Sequence, residues 1–188
     1  MKTRDEILSV FTQTVISGGM NTAPEARLLL FALATFIHAQ TILETGYDAG
    51  YTTEILEMTG AKVIAIDNGS EYPEVKKEAK ERLSRYTNCK LLDTDALSFL
   101  RDVPDEMFDL IFIDDDHTPS HVKDEVVEVR RILKTGGLVV FHDTEKDETL
   151  KRVVNEGLAD WEILHLPAWC KDEGGVVVNF GLTVARKK

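Results

Sequence analysis

Short runs that are apolar at nearly every position, and rich in β-branched residues, constrain this chain's fold more than any other feature. They are Thr41-Ile42-Leu43, Lys62-Val63-Ile64-Ala65-Ile66, Leu110-Ile111-Phe112-Ile113 and Leu138-Val139-Val140-Phe141. A strand with one wet face alternates apolar and polar residues. These runs do not, which predicts strands covered on both faces, as in a parallel sheet. Segments of helical period separate them. Between Pro119 and Lys134, Val122, Val126, Val129 and Leu133 share one face, with Thr118 as the expected N-cap, Pro119 in the first turn and Gly136-Gly137 as the expected stop. Pro24 to Ala39, Pro73 to Tyr86 and Glu148 to Leu158 read as further helices. Strand alternating with helix predicts an α/β fold: a parallel sheet with right-handed crossovers and helices on both faces. The alternation fails near the C-terminus. There Trp161 to Leu166 and Asn179 to Ala185 read as two strands joined by a loop containing Gly174-Gly175, an antiparallel hairpin that closes the sheet.

A length of 188 residues with no internal repeat or linker suits a single domain over residues 1–188. The 22 Lys+Arg against 33 Asp+Glu give a net charge of −11, which argues against a nucleic-acid partner, because that affinity needs clustered cations. Cys89 and Cys170 form no CxxC pair, so neither a disulfide framework nor a zinc finger is indicated, and a reducing cytoplasm fits best. Acids at Asp5 and Glu6 and the lack of a cleavage pattern speak against a secretory signal, and the apolar stretch Leu28 to Ile37 is too short to span a bilayer.

Ligands of open α/β sheets sit beyond the carboxyl ends of the strands, so the residues that follow each strand are the candidates. After the first comes Glu44-Thr45-Gly46-Tyr47-Asp48-Ala49-Gly50, whose glycines let backbone approach a ligand or simply make a tight turn into a helix. Asp67 ends the second strand about 23 residues past Glu44, where an acid accepts bonds from ribose hydroxyls; the alternative is a loop cap with Asn68-Gly69. Asp95 after the third strand can take an adenine amino group or cap the helix that starts at Ala96. The fourth strand runs into Asp114-Asp115-Asp116-His117 and the fifth into His142-Asp143. Such a concentration either meets cations, protons or a metal, or is a solvated charge run. His38, His121 and His165 read as structural.

Taken in order, ILETGYDAGYTTEIL, VIAID, LLDTDALSFL, FDLIFIDDDH and ILKTGGLVVFHD resemble the S-adenosylmethionine-dependent methyltransferases of the Rossmann-like class, within it the catechol and caffeoyl-CoA O-methyltransferase group. The resemblance runs from about Gly18 to Val184 and includes GGMNTAPEARLLLFALA before the first strand, so that residues 1–40 are expected to form a helical segment on the cofactor side. It implies Glu44, Gly46 and Gly50 at the methionine end of S-adenosyl-L-methionine, Asp67 on its ribose, Asp95 and Ala96 at its adenine, and Asp116 near the methionyl part and the reacting groups. It also implies a divalent metal on Asp114, His142 and Asp143, and His117 where the family places a general-base lysine. Two departures stand out. Asp48 replaces the middle glycine of the commoner E-x-G-x-G-x-G pattern, and His142-Asp143 stands where relatives carry Asp-Asn. A histidine ligand shifts preference from magnesium toward manganese, iron or zinc. The implied function is methylation of an oxygen of a small molecule, with a homodimer partner or the segment before Gly18 completing the pocket. The rivals are an NAD-dependent dehydrogenase, a methyltransferase on RNA or protein, and a non-catalytic cofactor-binding protein of the same fold.

Overall fold

In a computed structural model, described over residues 22–69, 73–171 and 177–188, the expected strands and helices that fall on those residues are present, with the last strand starting at Leu182 rather than Asn179; the part of the helical segment expected over residues 1–40 that precedes Thr22 is outside them. The helices are α1 (Pro24–Phe36), α2 (Tyr51–Glu57), α3 (Pro73–Leu83), α4 (Ala96–Asp102), α5 (Pro119–Ile132) and α6 (Glu148–Gly157). The strands are β1 (Thr41–Thr45), β2 (Lys62–Asp67), β3 (Cys89–Asp93), β4 (Phe108–Ile113), β5 (Leu133–His142), β6 (Glu162–Leu166), β7 (Trp169–Lys171), β8 (Val177–Asn179) and β9 (Leu182–Arg186). Seven strands form one sheet in the order β3-β2-β1-β4-β5-β9-β6, parallel from β3 to β5, with β9 antiparallel to both its neighbours. Among the described residues, no helix is long and apolar enough to cross a membrane.

The continuous apolar runs are explained by two cores, one on each face. Leu43, Ile111, Val139 and Phe141 pack with Val126, Val129 and Val154 of α5 and α6. Their immediate neighbours Ile42, Leu110, Phe112 and Val140 point the other way and pack with Ala26, Leu30 and Ala34 of α1. Each such side chain, fully buried, contributes about 1.5–3 kcal/mol. Strand order reverses at β1, with β2 on one side and β4 on the other. The loops leaving β1 and β4 therefore diverge, and a crevice opens between them.

Three local expectations are corrected. The Gly136-Gly137 pair does not stop α5. The helix ends at Ile132 because Leu133, buried in the core, is already extended. The glycines lie inside β5, in an irregularity where its register on β4 jumps from Leu133 opposite Phe108 to Leu138 opposite Leu110. A side chain on Gly137 would meet the Asp109 carbonyl at 2.9 Å. Thr118 occupies the N-cap of α5 but makes no side-chain cap bond; its own N–H donates to Asp116 Oδ1 at 2.8 Å. The C-terminal strands β6 and β9 pair as expected, from Glu162 opposite Arg186 to Leu166 opposite Leu182, but a separate two-stranded ribbon, β7 with β8, interrupts their connection. Gly174-Gly175 and the segment before Thr22 lie outside the described residues.

A close backbone contact joins the turn after β1 to the end of β4. Gly46, at φ +78°, donates to Ile66 O at 2.7 Å, and a Cβ there would sit 2.0 Å from the Asp114 carbonyl oxygen. Gly46→Ala is expected to cost about 3 kcal/mol or more, from left-handed strain plus forced displacement of backbone. Gly60 shares the left-handed backbone at φ +83°, but a Cβ there would have nothing within 4 Å, so Gly60→Ala should cost only about 1–2 kcal/mol. Urea unfolding midpoints of the two variants check this difference.

Candidate active site

The carboxyl ends of β1 to β4 surround a cavity of about 510 Å³, within the size range of small-molecule sites. Gly46, Asp67, Asp95, Ala96, Asp114, Asp116 and His117 all line it. Asp67 is fixed by two backbone donors, Asp48 N–H at 2.9 Å and Gly69 N–H at 2.6 Å. The first bond needs the turn after β1 to bring its amides inward, and Asp48 adopts a left-handed φ of 42° there. Asp accepts that conformation more readily than bulkier residues do, which accounts for its place in a glycine pattern. Asp95 caps α4, accepting Ser98 N–H at 2.8 Å, as one of its two sequence readings expects, and it lies on the cavity wall.

Glu44 and Gly50 stand behind the wall. Glu44 is buried and accepts a 2.6 Å bond from the Thr53 hydroxyl; burial pushes its carboxyl up to about 8, although the Thr53 bond opposes the shift. Gly50 starts α2 at φ +76°, and a side chain there would strike Leu83 Cδ1 of α3 at 2.9 Å. Its requirement is the left-handed backbone together with helix packing.

At the edge of the cavity, Asp114 and His117 of its lining form a quartet with His142 and Asp143. His142 Nδ1 lies 2.9 Å from Asp114 Oδ1 and 3.0 Å from Asp143 Oδ1, and His117 Nε2 lies 3.5 Å from Asp114 Oδ1 and 3.6 Å from Asp143 Oδ2. The ring of His142 is stacked on Phe180 and edge-on to Phe112, which fixes its plane. Asp143 holds a left-handed φ of 60°, an arrangement that costs on the order of 1–3 kcal/mol and turns its carboxylate back toward the histidines. Thr22, just ahead of α1, donates to Asp114 Oδ2 at 2.9 Å, so the start of the described chain touches this group. Burial alone would raise Asp114, but the two histidines outweigh it and hold the carboxyl well below the usual range. The same pairing pushes His142 up to about 10 against the opposing effect of burial, and moves His117 upward too. Even so, His142 Nε2 is buried with no hydrogen-bond partner, and His117 Nε2 and Asp143 Oδ1 are buried in ion-pair contacts that are not directed as hydrogen bonds. Buried donors and acceptors in that condition are uncommon in native folds.

Sequence reasoning missed three participants. His121, read as structural, lines the cavity beside Asp115, and Asp48 lines it as well. Glu125 is fully buried on the inner stripe of α5 among Val122, Val126 and Val129. An acid at a core position of an amphipathic helix was the available signal.

A family profile described as "Methyltransferase domain" matches residues 43–144. An Arabidopsis thaliana protein named "probable caffeoyl-CoA O-methyltransferase" is 30% identical over 134 residues, 67% of this chain and 57% of that protein. The chain thus spans less than two thirds of the length of this curated relative. Among solved structures, an O-methyltransferase of Streptomyces achromogenes involved in tomaymycin synthesis, in complex with SAM, superposes with a TM-score of 0.68 at 18% identity, covering 100% of this chain and 91% of that one. A Bacillus cereus O-methyltransferase in complex with SAH gives 0.67 at 18% identity, with 97% and 90% covered.

Glu44 sets a pH dependence on the fold. With a folded value of about 8 against an ordinary 4.5, it keeps a proton that the unfolded chain has released, so stability falls as pH rises between those values. The expected loss reaches about 1.4 kcal/mol per pH unit, and Glu44→Gln should flatten the profile and raise the urea midpoint at pH ~8. Denaturation series across this range in both proteins measure the two slopes.

Proposed function

The chain belongs to the methyltransferase-domain family, and from that premise we propose that it transfers the methyl group of S-adenosyl-L-methionine to an oxygen of a small molecule. The observation that carries this reading is Asp67. Two backbone N–H groups hold its carboxylate on the cavity wall beside the glycine turn, and each oxygen keeps acceptor capacity for a ribose hydroxyl. The charge of the cavity supports it: Asp48, Asp67, Asp95, Asp114, Asp115 and Asp116 line it, a setting that favours a ligand carrying ammonium and sulfonium cations.

In this assignment Glu44, Gly46 and Gly50 shape the methionine end, Asp67 binds ribose, Asp95 and Ala96 meet adenine, and Asp116 orders the turn into α5 next to the reacting groups. The orphaned atoms of the quartet fit a divalent cation: Asp114, His117 and His142 bring ligand atoms within 4.8 Å of one another, and we assign Asp114 and His142 to the ion with Asp143, whose Oδ1 is unpartnered, in place of His117, which is left to face the acceptor. When bound, the cofactor supplies an electrophilic methyl, and a cation such as magnesium, manganese or zinc makes an acceptor hydroxyl more acidic. His117, on the cavity wall, removes the acceptor's proton. Positioning for in-line attack provides most of the acceleration. The acceptor is a small molecule rather than nucleic acid, given the net charge of −11, and the working enzyme is a cytoplasmic homodimer.

Asp67→Ala is expected to weaken S-adenosylhomocysteine binding about tenfold to a hundredfold by calorimetry, through loss of charge-assisted hydrogen bonds. Transfer of labelled methyl from S-adenosylmethionine to a panel of catechols and phenols, with and without divalent metals, tests the activity. Affinity for S-adenosylhomocysteine without transfer to any of them would favour a cofactor-binding protein, and affinity for NAD instead a dehydrogenase. On an active acceptor, His117→Ala should lower turnover on the order of 10² to 10⁴-fold with cofactor affinity retained. Near-native turnover would leave His117 with a structural role only.

A further inference from the structure

A second set of ligating side chains converges one residue away from the quartet, where α5 runs beneath the turn after β4. His121 and Glu125 are one helical turn apart on α5, and Asp115 reaches them from the turn. His121 Nε2 lies 3.3 Å from Asp115 Oδ2 and 3.8 Å from Glu125 Oε1, and the three ligand atoms all fall within 4.8 Å of one another. Four-coordinate zinc, with bonds of about 2.0–2.1 Å, sets its ligands roughly 3.3–3.4 Å apart, so these spacings need little adjustment to close on an ion.

The arrangement is poorly explained as a set of hydrogen bonds. Glu125 is 0% exposed, its Oε2 has no hydrogen-bond partner, and the one hydrogen bond to its Oε1, from the Thr45 hydroxyl, is long at 3.5 Å. Thr45 also donates to Asp115 Oδ1 at 3.2 Å, and Asp116 Oδ2 stands 3.7 Å from His121 Nδ1. Burial, with Asp115 beside it, pushes the Glu125 carboxyl well above the usual range. A buried acid with an orphaned oxygen, facing a histidine and a second carboxylate, has a missing partner of positive charge.

We propose that Asp115, His121 and Glu125 form a second divalent-cation site, separate from the Asp114 quartet, that takes zinc or another borderline ion. One imidazole with two carboxylates favours zinc, manganese or iron over calcium. Three protein ligands leave a position open, and because Asp115 and His121 both line the cavity, that position faces it. The site does not depend on which cofactor the cavity binds.

Equilibrium dialysis of the full chain against zinc, followed by metal analysis, tests the site. His121→Ala and Glu125→Gln should each lose about one zinc per chain relative to wild type, whereas Asp143→Asn, in the quartet, should leave that equivalent in place. Cobalt as a probe should give the visible bands of a four-coordinate nitrogen–oxygen site in wild type and lose them in His121→Ala. Glu125→Gln preserves volume, so it decides the matter should His121→Ala fail to fold. Equal zinc content in wild type and both α5 variants would overturn the site and leave a polar cluster completed by water.

Discussion

The carboxyl edge of the sheet depends on how closely the turn after β1 lies against the end of β4. Gly46 has no side chain to hold it off the Asp114 carbonyl, and its N–H reaches Ile66 O on β2 while Asp114 N–H reaches Thr45 O. One turn is thereby tied to both neighbouring strands. Everything that gives the cavity its chemistry follows from this. The tie brings Asp48 N–H to Asp67, and it places the acid run after β4 directly opposite the glycine turn.

Concentrating so many carboxylates in one place requires compensation, and the fold supplies it unevenly. On the outer side, Asp93 takes Tyr47 and the lysines Lys76 and Lys80, which draw its carboxyl down and fasten α3 to the glycine turn. On the inner side, His142 and His117 compensate Asp114 and Asp143. Glu44 has a hydroxyl but no ion pair among the described residues, Glu125 has a hydroxyl and a distant histidine at 3.8 Å, and both are driven toward the neutral form. Two kinds of acid result. Some are held ionised by fixed partners, while others are left neutral, with the capacity to ionise if a positive charge arrives.

The strands were legible because burial on both faces leaves an unbroken apolar run, and strand ends then located Asp67, Asp95, Asp114 and His142 without further knowledge. Helix α5 was legible from Val122, Val126 and Val129, but its end was not. Gly136-Gly137 imitates a helix stop, and only the register of β5 on β4 shows that the pair lies inside a strand, Gly136 supplying a left-handed φ and Gly137 relieving crowding. His121 and Glu125 escaped notice for a related reason. Helical spacing shows that they share a face with each other, while their meeting with Asp115 depends on how α5 crosses the sheet. Gly50 carries a second requirement that adjacency in the chain does not reveal: besides its left-handed backbone, a side chain there would meet Leu83 on another helix.

The place of β9 bears on how the protein is made. This strand lies between β5 and β6, and within the described sheet it is β6's one neighbour, although β6 precedes it in the chain. During synthesis β6 must therefore wait, its backbone groups unmet, until Leu182–Arg186 has left the ribosome and slid in beside β5. The same insertion completes the surroundings of His142, which pairs with Leu182 across the ladder. A nascent chain stopped just short of β9 would hold most of its core yet display two open strand edges, the form most exposed to aggregation and to chaperone capture.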